Sequence, residues 1–185
     1  MEQHTLIIGG TGMLRGVSIA LAKRSKLLTS VARTAASLQQ LDRELQRGTG
    51  SHYTLQCDWS DGDFLDVLEA HCSAVGYPSL AIAWLHDDNL APRIATRIGQ
   101  LAASCRFFQV RSSAAADPTL DTARLAKAWA DVPVQHFEII LGFQVTESGS
   151  RWLDNSEVSS GVLTAIERGE RKAVVGVVSP WADRP

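Results

Sequence analysis

An apolar run, Leu6-Ile7-Ile8, leads directly into Gly9-Gly10-Thr11-Gly12-Met13-Leu14-Arg15-Gly16-Val17-Ser18, where a helical pattern begins at Leu14. Glycines in a strand-to-helix turn let the backbone bend tightly and approach a phosphate without a Cβ clash. The free N–H groups at the start of the helix attract phosphate oxygens. The segment from Gly9 to Gly16 is therefore expected to bind a dinucleotide; the alternative is a glycine turn that serves only helix–sheet packing.

Short apolar runs alternate with stretches of helical spacing, which is the pattern of βαβ units. The predicted strands are Thr5–Gly9, Leu27–Ala32, Tyr53–Cys57, Leu80–Leu85, Phe107–Val110, His136–Phe143 and Ala173–Val178. The predicted helices are Leu14–Ser25, Ala35–Gln46, Asp63–Val75, Pro92–Ser104, Leu120–Ala130 and Ser156–Glu167. Near-continuous apolar strands are typical of parallel sheets covered on both faces. The sequence therefore predicts an α/β, doubly wound Rossmann fold with a mostly parallel sheet of about seven strands and helices on both faces.

Length and composition limit the classes of function. With 185 residues, 45% of them hydrophobic and 21% charged, the chain is expected to form a single Rossmann domain over residues 1–185. The 18 Lys and Arg residues nearly balance 20 Asp and Glu residues, so neither nucleic acid nor a membrane is an expected partner. The start of the chain has no basic segment before its apolar run, and we expect a cytoplasmic protein. The three cysteines, Cys57, Cys72 and Cys105, lack metal-ligand spacing, so we expect reduced thiols and no metal.

Three segments resemble the short-chain dehydrogenase/reductase superfamily. Thr11-Gly12-x-x-x-Gly16-x-Ser18 is similar to its TGxxxGxG turn, with Ser18 in place of the last glycine. Val31-Ala32-Arg33-Thr34 resembles its cofactor-selecting turn, and Cys57-Asp58-Trp59-Ser60-Asp61 resembles its adenine-binding turn. The resemblance covers most of the chain, more closely up to Leu85, and implies a nicotinamide dinucleotide. It implies cofactor contacts from Arg33, Thr34, Asp58, Trp59, Trp84, Leu85 and His86, together with the glycine turn.

The residue after the second predicted strand indicates which dinucleotide binds. NAD-specific folds usually place a carboxylate there for the ribose hydroxyls, whereas this chain has Arg33. A guanidinium matches a 2′-phosphate in charge and geometry, so we expect NADP(H). The resemblance adds Arg15, at a position that is often basic in NADP-binding members. The alternative is that Arg33 is simply a solvated residue at a helix start.

The family's catalytic Tyr-x-x-x-Lys pair has no counterpart here. Ala123 stands four residues before Lys127, and Tyr53 and Tyr77 are expected at the opposite edge of the sheet. Two other groups are candidate proton donors: His86, after the fourth predicted strand beside Asp87 and Asp88, and Ser113, after the fifth. The alternative is that His86 is a loop residue without a catalytic role and that Asp87 and Asp88 cap the start of the next helix.

The remaining candidates concern the substrate. Arg111, Ser112, Arg151 and Trp152 follow the fifth and sixth predicted strands and are expected to contact a small molecule. Ser150–Leu153 and the tail Pro180–Pro185 are also similar to small bacterial members of the superfamily. Three functions stay open: an NADP(H)-dependent reductase acting on a carbonyl, imine, quinone or flavin, a non-catalytic NADP(H)-binding sensor, and a Rossmann-like transferase without nicotinamide. The resemblance and the short chain also predict a homo-oligomer, in the simplest case a homodimer.

Overall fold

The computed structural model describes residues 2–45, 50–102, 104–117, 119, 122–147 and 149–185. Its strands are β1 Glu2–Ile8, β2 Ser25–Ala32, β3 Ser51–Gln56, β4 Leu80–Trp84, β5 Arg106–Ser112, β6 Gln135–Leu141, β7 Phe143–Thr146, β8 Gly149–Trp152 and β9 Lys172–Val175. Its helices are α1 Arg15–Ala22, α2 Ala35–Leu45, α3 Phe64–Val75, α4 Leu90–Gly99, α5 Thr122–Trp129 and α6 Asn155–Arg168. The predicted helix ends at Gln46 and Leu120 lie outside the described residues, as does Ala103 within the predicted fourth helix.

Seven strands form one parallel sheet in the order β3-β2-β1-β4-β5-β6-β9. This confirms the predicted doubly wound α/β fold. The strand order reverses between β1 and β4, and an open sheet binds its ligands beside that point, at the carboxyl ends of the strands. The register brings Ile8 opposite Val31 and Ala83, so the loops after β1, β2 and β4 meet at one edge.

Two apolar layers cover the faces of the sheet. One layer packs α1, α2 and α6 against the sheet and includes Leu14, Val17, Leu41, Val162 and Phe108. The other packs α3 and α4 and includes Phe64, Leu68, Ile94 and Phe107. Helix α5 contributes a half-buried Trp129 to the second layer, whereas Lys127 is exposed. Across the ranges that the structure describes, no helix combines the length and apolar character needed to cross a membrane.

The predicted strand His136–Phe143 is too long. Strand β6 ends at Leu141, and Phe143–Thr146 turns back to pair antiparallel with Gly149–Trp152. Gly142 marks the break, because a side chain there would overlap the backbone carbonyl of Val177. Residues 143–152, beyond the end of β6, thus form a small hairpin, β7–β8, that the sequence did not predict.

Candidate functional site

Three glycines of the first turn are required by the packing of the chain itself. Gly9 has φ +80°, and an added Cβ would lie 2.9 Å from the carbonyl oxygen of Trp84. A Cβ at Gly10 would lie 2.5 Å from Ser18 Oγ, and one at Gly16 would meet Ser159 of α6 at the same distance. For these positions, close packing alone explains the glycine.

Gly12 differs from its neighbours. A Cβ there would find nothing within 4 Å, and the residue has no positive φ that would favour glycine. Neither packing nor backbone conformation therefore requires this glycine, and the open space beside it leaves room for a phosphate. Helix α1 begins just beyond it with no side-chain cap and no acidic residue in its first turn, which leaves the positive end of its dipole open to an anion. These features fit the pyrophosphate of a dinucleotide.

Ser18 lies on the buried side of the glycine turn. It is fully buried, and its hydroxyl donates to the carbonyl oxygens of Gly10 (2.8 Å) and Leu14 (3.3 Å). The serine in place of the family's last glycine thus stabilises the turn on its protein side.

A cleft of about 210 Å³ opens at this edge of the sheet, and we call it the nucleotide cleft. It lies in front of the loops after β1, β2, β3 and β4. Its lining residues are Ile8, Gly9, Thr11, Val31, Ala32, Arg33, Thr34, Ser37, Cys57, Trp59, Phe64, Trp84 and His86. The cleft brings together predicted cofactor residues from all four loops. Ser37, which the sequence did not indicate, also lines the cleft, and its Oγ donates to the Thr34 carbonyl (2.8 Å).

Arg33 stands at the rim of this cleft with its side chain 75% exposed. Its Nε lies 3.8 Å from Asp58 Oδ2, a loose pairing that leaves most of its N–H donors unused. Hydrogen bonds from Ser60, together with the charge of Arg33, hold the pKa of Asp58 below its ordinary value. The pairing of Arg33 and Asp58 joins the two turns that the sequence predicted for the adenosine end of the cofactor.

Two residues of the predicted turn serve other purposes. Both Nε and Nη2 of Arg15 donate to the carboxylate of Glu44 on α2, and Arg15 does not line the nucleotide cleft. The predicted contact of Arg15 with the cofactor stays a prediction, and it would require Arg15 to leave Glu44. Leu14 is fully buried in the core, so its side chain packs against the protein.

Two further cavities adjoin Trp84. The first, of about 290 Å³, we call the tail pocket; it is lined by Met13, Trp84, Ser112, Ser113, Leu141, Gly142, Trp152, Leu153, Val158 and Arg184. The second, of about 230 Å³, we call the loop cavity; it is lined by Trp84, Leu85, His86, Asp88, Arg111, Ser112, Ala114 and Ala115. Because Trp84 lines all three spaces, the nucleotide cleft and both cavities share one wall.

His86 lies on the boundary between the nucleotide cleft and the loop cavity. Its ring is 5.5 Å from that of Trp84 and 6.4 Å from that of Trp59, centroid to centroid. Both aspartates beside His86 have other partners. Asp87 Oδ1 accepts the backbone N–H of Asn89 (2.9 Å), and Asp88 binds Arg111.

Arg111, which the sequence predicted to contact the substrate, belongs to a network of ion pairs. Its side chain is 8% exposed, and it donates to both oxygens of Asp88, from Nε at 2.9 Å and from Nη2 at 2.6 Å. Nη1 donates to Glu138, which also pairs with Lys172 Nζ at 3.0 Å. Hydrogen bonds from Arg111 and Lys172 outweigh burial and lower the pKa of Glu138. The guanidinium of Arg111 is thus occupied by Asp88 and Glu138, and it ties the loop that carries His86 to the sheet.

The second predicted arginine, Arg151, is also occupied. Its Nη1 and Nη2 each donate to Glu157 at 2.8 Å, and Nη1 donates to the Trp152 carbonyl at 3.0 Å. Trp152 itself lines the tail pocket, where the sequence predicted a wall. Glu157 belongs to a capping box at the start of α6, in which Asp154 accepts the N–H groups of Ser156 and Glu157.

Ser112 and Ser113 both line the tail pocket. Ser113 is buried, and its Oγ accepts a hydrogen bond from Arg184 Nε at 2.9 Å. The tyrosines lie elsewhere, as expected: Tyr77 precedes β4, and Tyr53 near the start of β3 packs against His71. Among the described side chains, no three His, Cys, Asp or Glu residues are grouped so that they could hold a metal ion.

Comparison with solved structures identifies the fold. Acetoin dehydrogenase from Salmonella typhimurium matches with a TM-score of 0.72 and 9% identity, over 99% of each chain. A short-chain dehydrogenase from Sphingobium yanoikuyae in complex with NADPH matches with a TM-score of 0.68 and 15% identity, over 97% of this chain and 91% of that one. A bulky-bulky ketone specific alcohol dehydrogenase from Comamonas testosteroni matches with a TM-score of 0.68 and 16% identity, over 97% and 88%.

The chain therefore has the short-chain dehydrogenase/reductase fold, as its glycine turn indicated. Neither a protein-family model nor a curated protein sequence matches it. At these identities the likeness establishes the fold alone, and the function has to be argued from the site.

Proposed function

We propose that the protein is an oxidoreductase that binds NADP(H) in the nucleotide cleft and exchanges a hydride with a small organic molecule in the cavities beyond Trp84. Gly12 is the observation that carries this proposal, because it lies in the strand-to-helix turn before the uncapped start of α1 and leaves open space where a Cβ would point. The solved structure of the Sphingobium enzyme holds NADPH on the same fold. We propose a carbonyl, imine, quinone or flavin as the acceptor.

NADP(H), when bound, supplies or accepts the hydride through its nicotinamide ring. The protein's own contribution is to bind and orient it. The turn from Gly9 to Gly16 holds the pyrophosphate, while Arg33 and Thr34 hold the phosphorylated adenosine ribose. We assign the adenine to the wall of the cleft near Trp59, and the nicotinamide end to the wall at Trp84 and His86.

His86 and Ser113 are the proposed proton donors. His86 stands where the nucleotide cleft meets the loop cavity, and an imidazole can donate near neutral pH. Ser113 accepts a hydrogen bond from Arg184, so its own O–H remains available to donate toward the tail pocket.

Cofactor titration tests this proposal. NADPH fluorescence should change on binding, and NADPH should bind at least about 10-fold more tightly than NADH, since one charge-assisted contact is worth that much. Arg33→Asp should weaken NADPH binding and strengthen NADH binding. Arg43→Gln, at another arginine on α2, is the control and should change neither. Absence of any NADPH binding by the intact protein would refute the proposal.

The second candidate function is a non-catalytic NADP(H)-binding sensor. The absence of the Tyr-x-x-x-Lys pair favours it, because Ala123 replaces the tyrosine and Lys127 is exposed on α5. Turnover of NADPH with a panel of carbonyl, imine, quinone and flavin acceptors separates the two functions. In an enzyme that uses His86, His86→Ala should lose turnover while largely keeping its affinity for NADPH, whereas a sensor has no turnover to lose.

Several earlier expectations stay predictions: a single domain over residues 1–185, a homo-oligomeric state, a cytoplasmic location and no nucleic-acid or membrane partner.

A further inference from the structure

The tail pocket contains a cationic group that the sequence analysis did not single out. Arg184, in the C-terminal tail, lines this pocket with its guanidinium near two indole rings, 5.2 Å from the centroid of Trp152 and 5.1 Å from that of Trp181. Its Nε donates to Ser113 Oγ. The tail is fixed beside the pocket by Ser150 of β8, whose hydroxyl donates to the Asp183 carbonyl.

The guanidinium lacks a carboxylate partner within the described part of the chain. Arg15, Arg111 and Arg151 each pair closely with Asp or Glu, whereas Arg184 forms no ion pair with a described acidic group. The charge of Arg184 acts on one described acid, Asp117. Hydrogen bonds from Thr119 lower the pKa of Asp117, and the positive charge of Arg184 lowers it further. Two Nη groups thus remain as donors, held in place by aromatic rings and Ser113.

We infer that Arg184 binds an anionic group, and that the substrate is a small organic acid whose carboxylate pairs with the Nη groups of Arg184. Apolar side chains, among them Met13, Leu141 and Leu153, line the rest of the pocket and suit an aromatic or aliphatic body. The inference rests on the proposed function insofar as it names that reaction's substrate class. Its physical basis, an exposed guanidinium without a described carboxylate partner at the edge of a largely apolar pocket, is independent of the cofactor.

Benzoate and its neutral counterpart benzamide are suitable probes. NMR titration of the intact protein, followed through the indole N–H signals of Trp152 and Trp181, should show benzoate binding at least about 10-fold more tightly than benzamide. Arg184→Gln should remove that preference, and Arg184→Lys should keep part of it. Arg168→Gln, on the exposed side of α6 and outside the tail pocket, is the matched control and should bind benzoate as the wild type does.

Three results would overturn the inference. Equal affinity for the two probes would show that no anion site exists, and unchanged benzoate binding by Arg184→Gln would place the site elsewhere. Tighter probe binding by that variant would show that the tail obstructs the pocket.

A titration in saturating NADP+ separates the substrate from the cofactor as the source of the anion. Benzoate should still bind, since the nucleotide cleft lies on the other side of Trp84. Displacement of benzoate by NADP+ would assign Arg184 to a cofactor phosphate and overturn the inference. Benzoate binding through Arg184 in a protein that binds no NADPH would support the anion site while refuting the proposed cofactor.

Discussion

The nucleotide cleft and the tail pocket share Trp84, yet the chain builds them in different ways. The cleft is formed by loops directly after β1 to β4, within one run of sequence from Ile8 to His86. The tail pocket gathers side chains from Met13 to Arg184, almost the whole length of the chain. A cleft built from consecutive strand ends can be read from a sequence, whereas a pocket closed by a returning tail cannot.

The arginines sharpen this contrast. Arg33 at the cleft and Arg184 at the tail pocket keep most of their N–H donors unused, while Arg15, Arg111 and Arg151 are bound to carboxylates. Arginine at a strand end is therefore weak evidence for anion binding until its partners are known. The five side chains differ in their neighbours and not in their chemistry.

The largest expected effect concerns Arg111, whose ion pairs hold the loop between the two sites. Arg111→Met leaves Asp88 and Glu138 without their partner in a half-buried setting, and we expect a loss of about 3 kcal/mol in the free energy of unfolding. Urea denaturation measures this loss. A triple variant that also carries Asp88→Asn and Glu138→Gln should recover much of the stability, because no unpaired carboxylate remains and Lys172, which loses Glu138, is exposed. Full stability of Arg111→Met alone would show that the network does not support the loop.

The next largest effect is expected from substitution of Gly12, which should change NADPH binding and not stability. Gly12→Val should weaken NADPH binding about 100-fold, equivalent to about 2.7 kcal/mol, because the side chain takes the space assigned to the pyrophosphate. The melting temperature should change little, since an added Cβ meets nothing in the chain. Gly62→Val is the matched control, because a Cβ at Gly62 is equally unobstructed but lies outside the glycine turn and away from the start of α1. Equal losses in both variants would contradict the assignment of the pyrophosphate to Gly12.

The sequence predicted the sheet well because its signals are local. Each apolar strand, such as Leu80–Trp84, is read from a few adjacent residues, and its direction follows from the βαβ alternation. The hairpin β7–β8 was missed because Phe143 continues the apolar pattern of β6, and the break depends on Gly142 lying against Val177. Alternation of apolar and polar residues from Phe143 to Thr146 was the signal that could have revealed it.

The sequence predicted only those parts of the candidate site whose residues act through the backbone or lie close together in the sequence. The glycine turn and the Arg33 and Trp59 loops meet these conditions. The partners of Arg111 lie 23 and 27 residues away in sequence, and Ser113 meets Arg184 across 71 residues. Such pairings depend on the tertiary fold, and a single sequence carries no record of them.

The next, smaller effect concerns His136, whose substitution should change the stability of the protein and leave both sites unchanged. His136 stacks on Trp129 with ring centroids 3.5 Å apart, and its Nε2 is buried without a hydrogen-bond partner among the described residues. Burial lowers the pKa of His136 to about 4 from its ordinary 6.5, while the charge of Glu138 opposes that shift. In the folded protein the ring therefore stays neutral down to about pH 4.

The sign of the pH effect follows from this shift. Between pH 6.5 and about 4 the unfolded state binds a proton on His136 that the folded state does not, so stability falls as the pH falls. With allowance for solvent screening, the loss is about 1–2 kcal/mol. Urea denaturation of His136→Phe should show a shallower loss than wild type over this range. Burial also lowers the pKa values of His4 and His71, so the stability of the variant should still fall to some extent as the pH falls. An unchanged pH profile would show that His136 titrates normally.

The smallest expected effect compares the starts of α1 and α6. Helix α1 begins uncapped at the nucleotide cleft, whereas Asp154 caps α6 beside the tail pocket and accepts the N–H groups of Ser156 (2.8 Å) and Glu157 (2.9 Å). Asp154→Ala should lower the melting temperature by about 2–4 °C, as expected for a lost helix cap.

The same variant also tests how far the two sites are independent. Asp154 follows Trp152 and Leu153, which line the tail pocket, so the loss of the cap should weaken benzoate binding about threefold, a fraction of the energy of one cap. NADPH binding should not change, because α6 contributes no residue to the nucleotide cleft. Asp154→Asn retains an acceptor oxygen and should restore most of the melting temperature. Equal losses of benzoate and NADPH affinity in Asp154→Ala would mean that the wall at Trp84 couples the two sites instead of separating them.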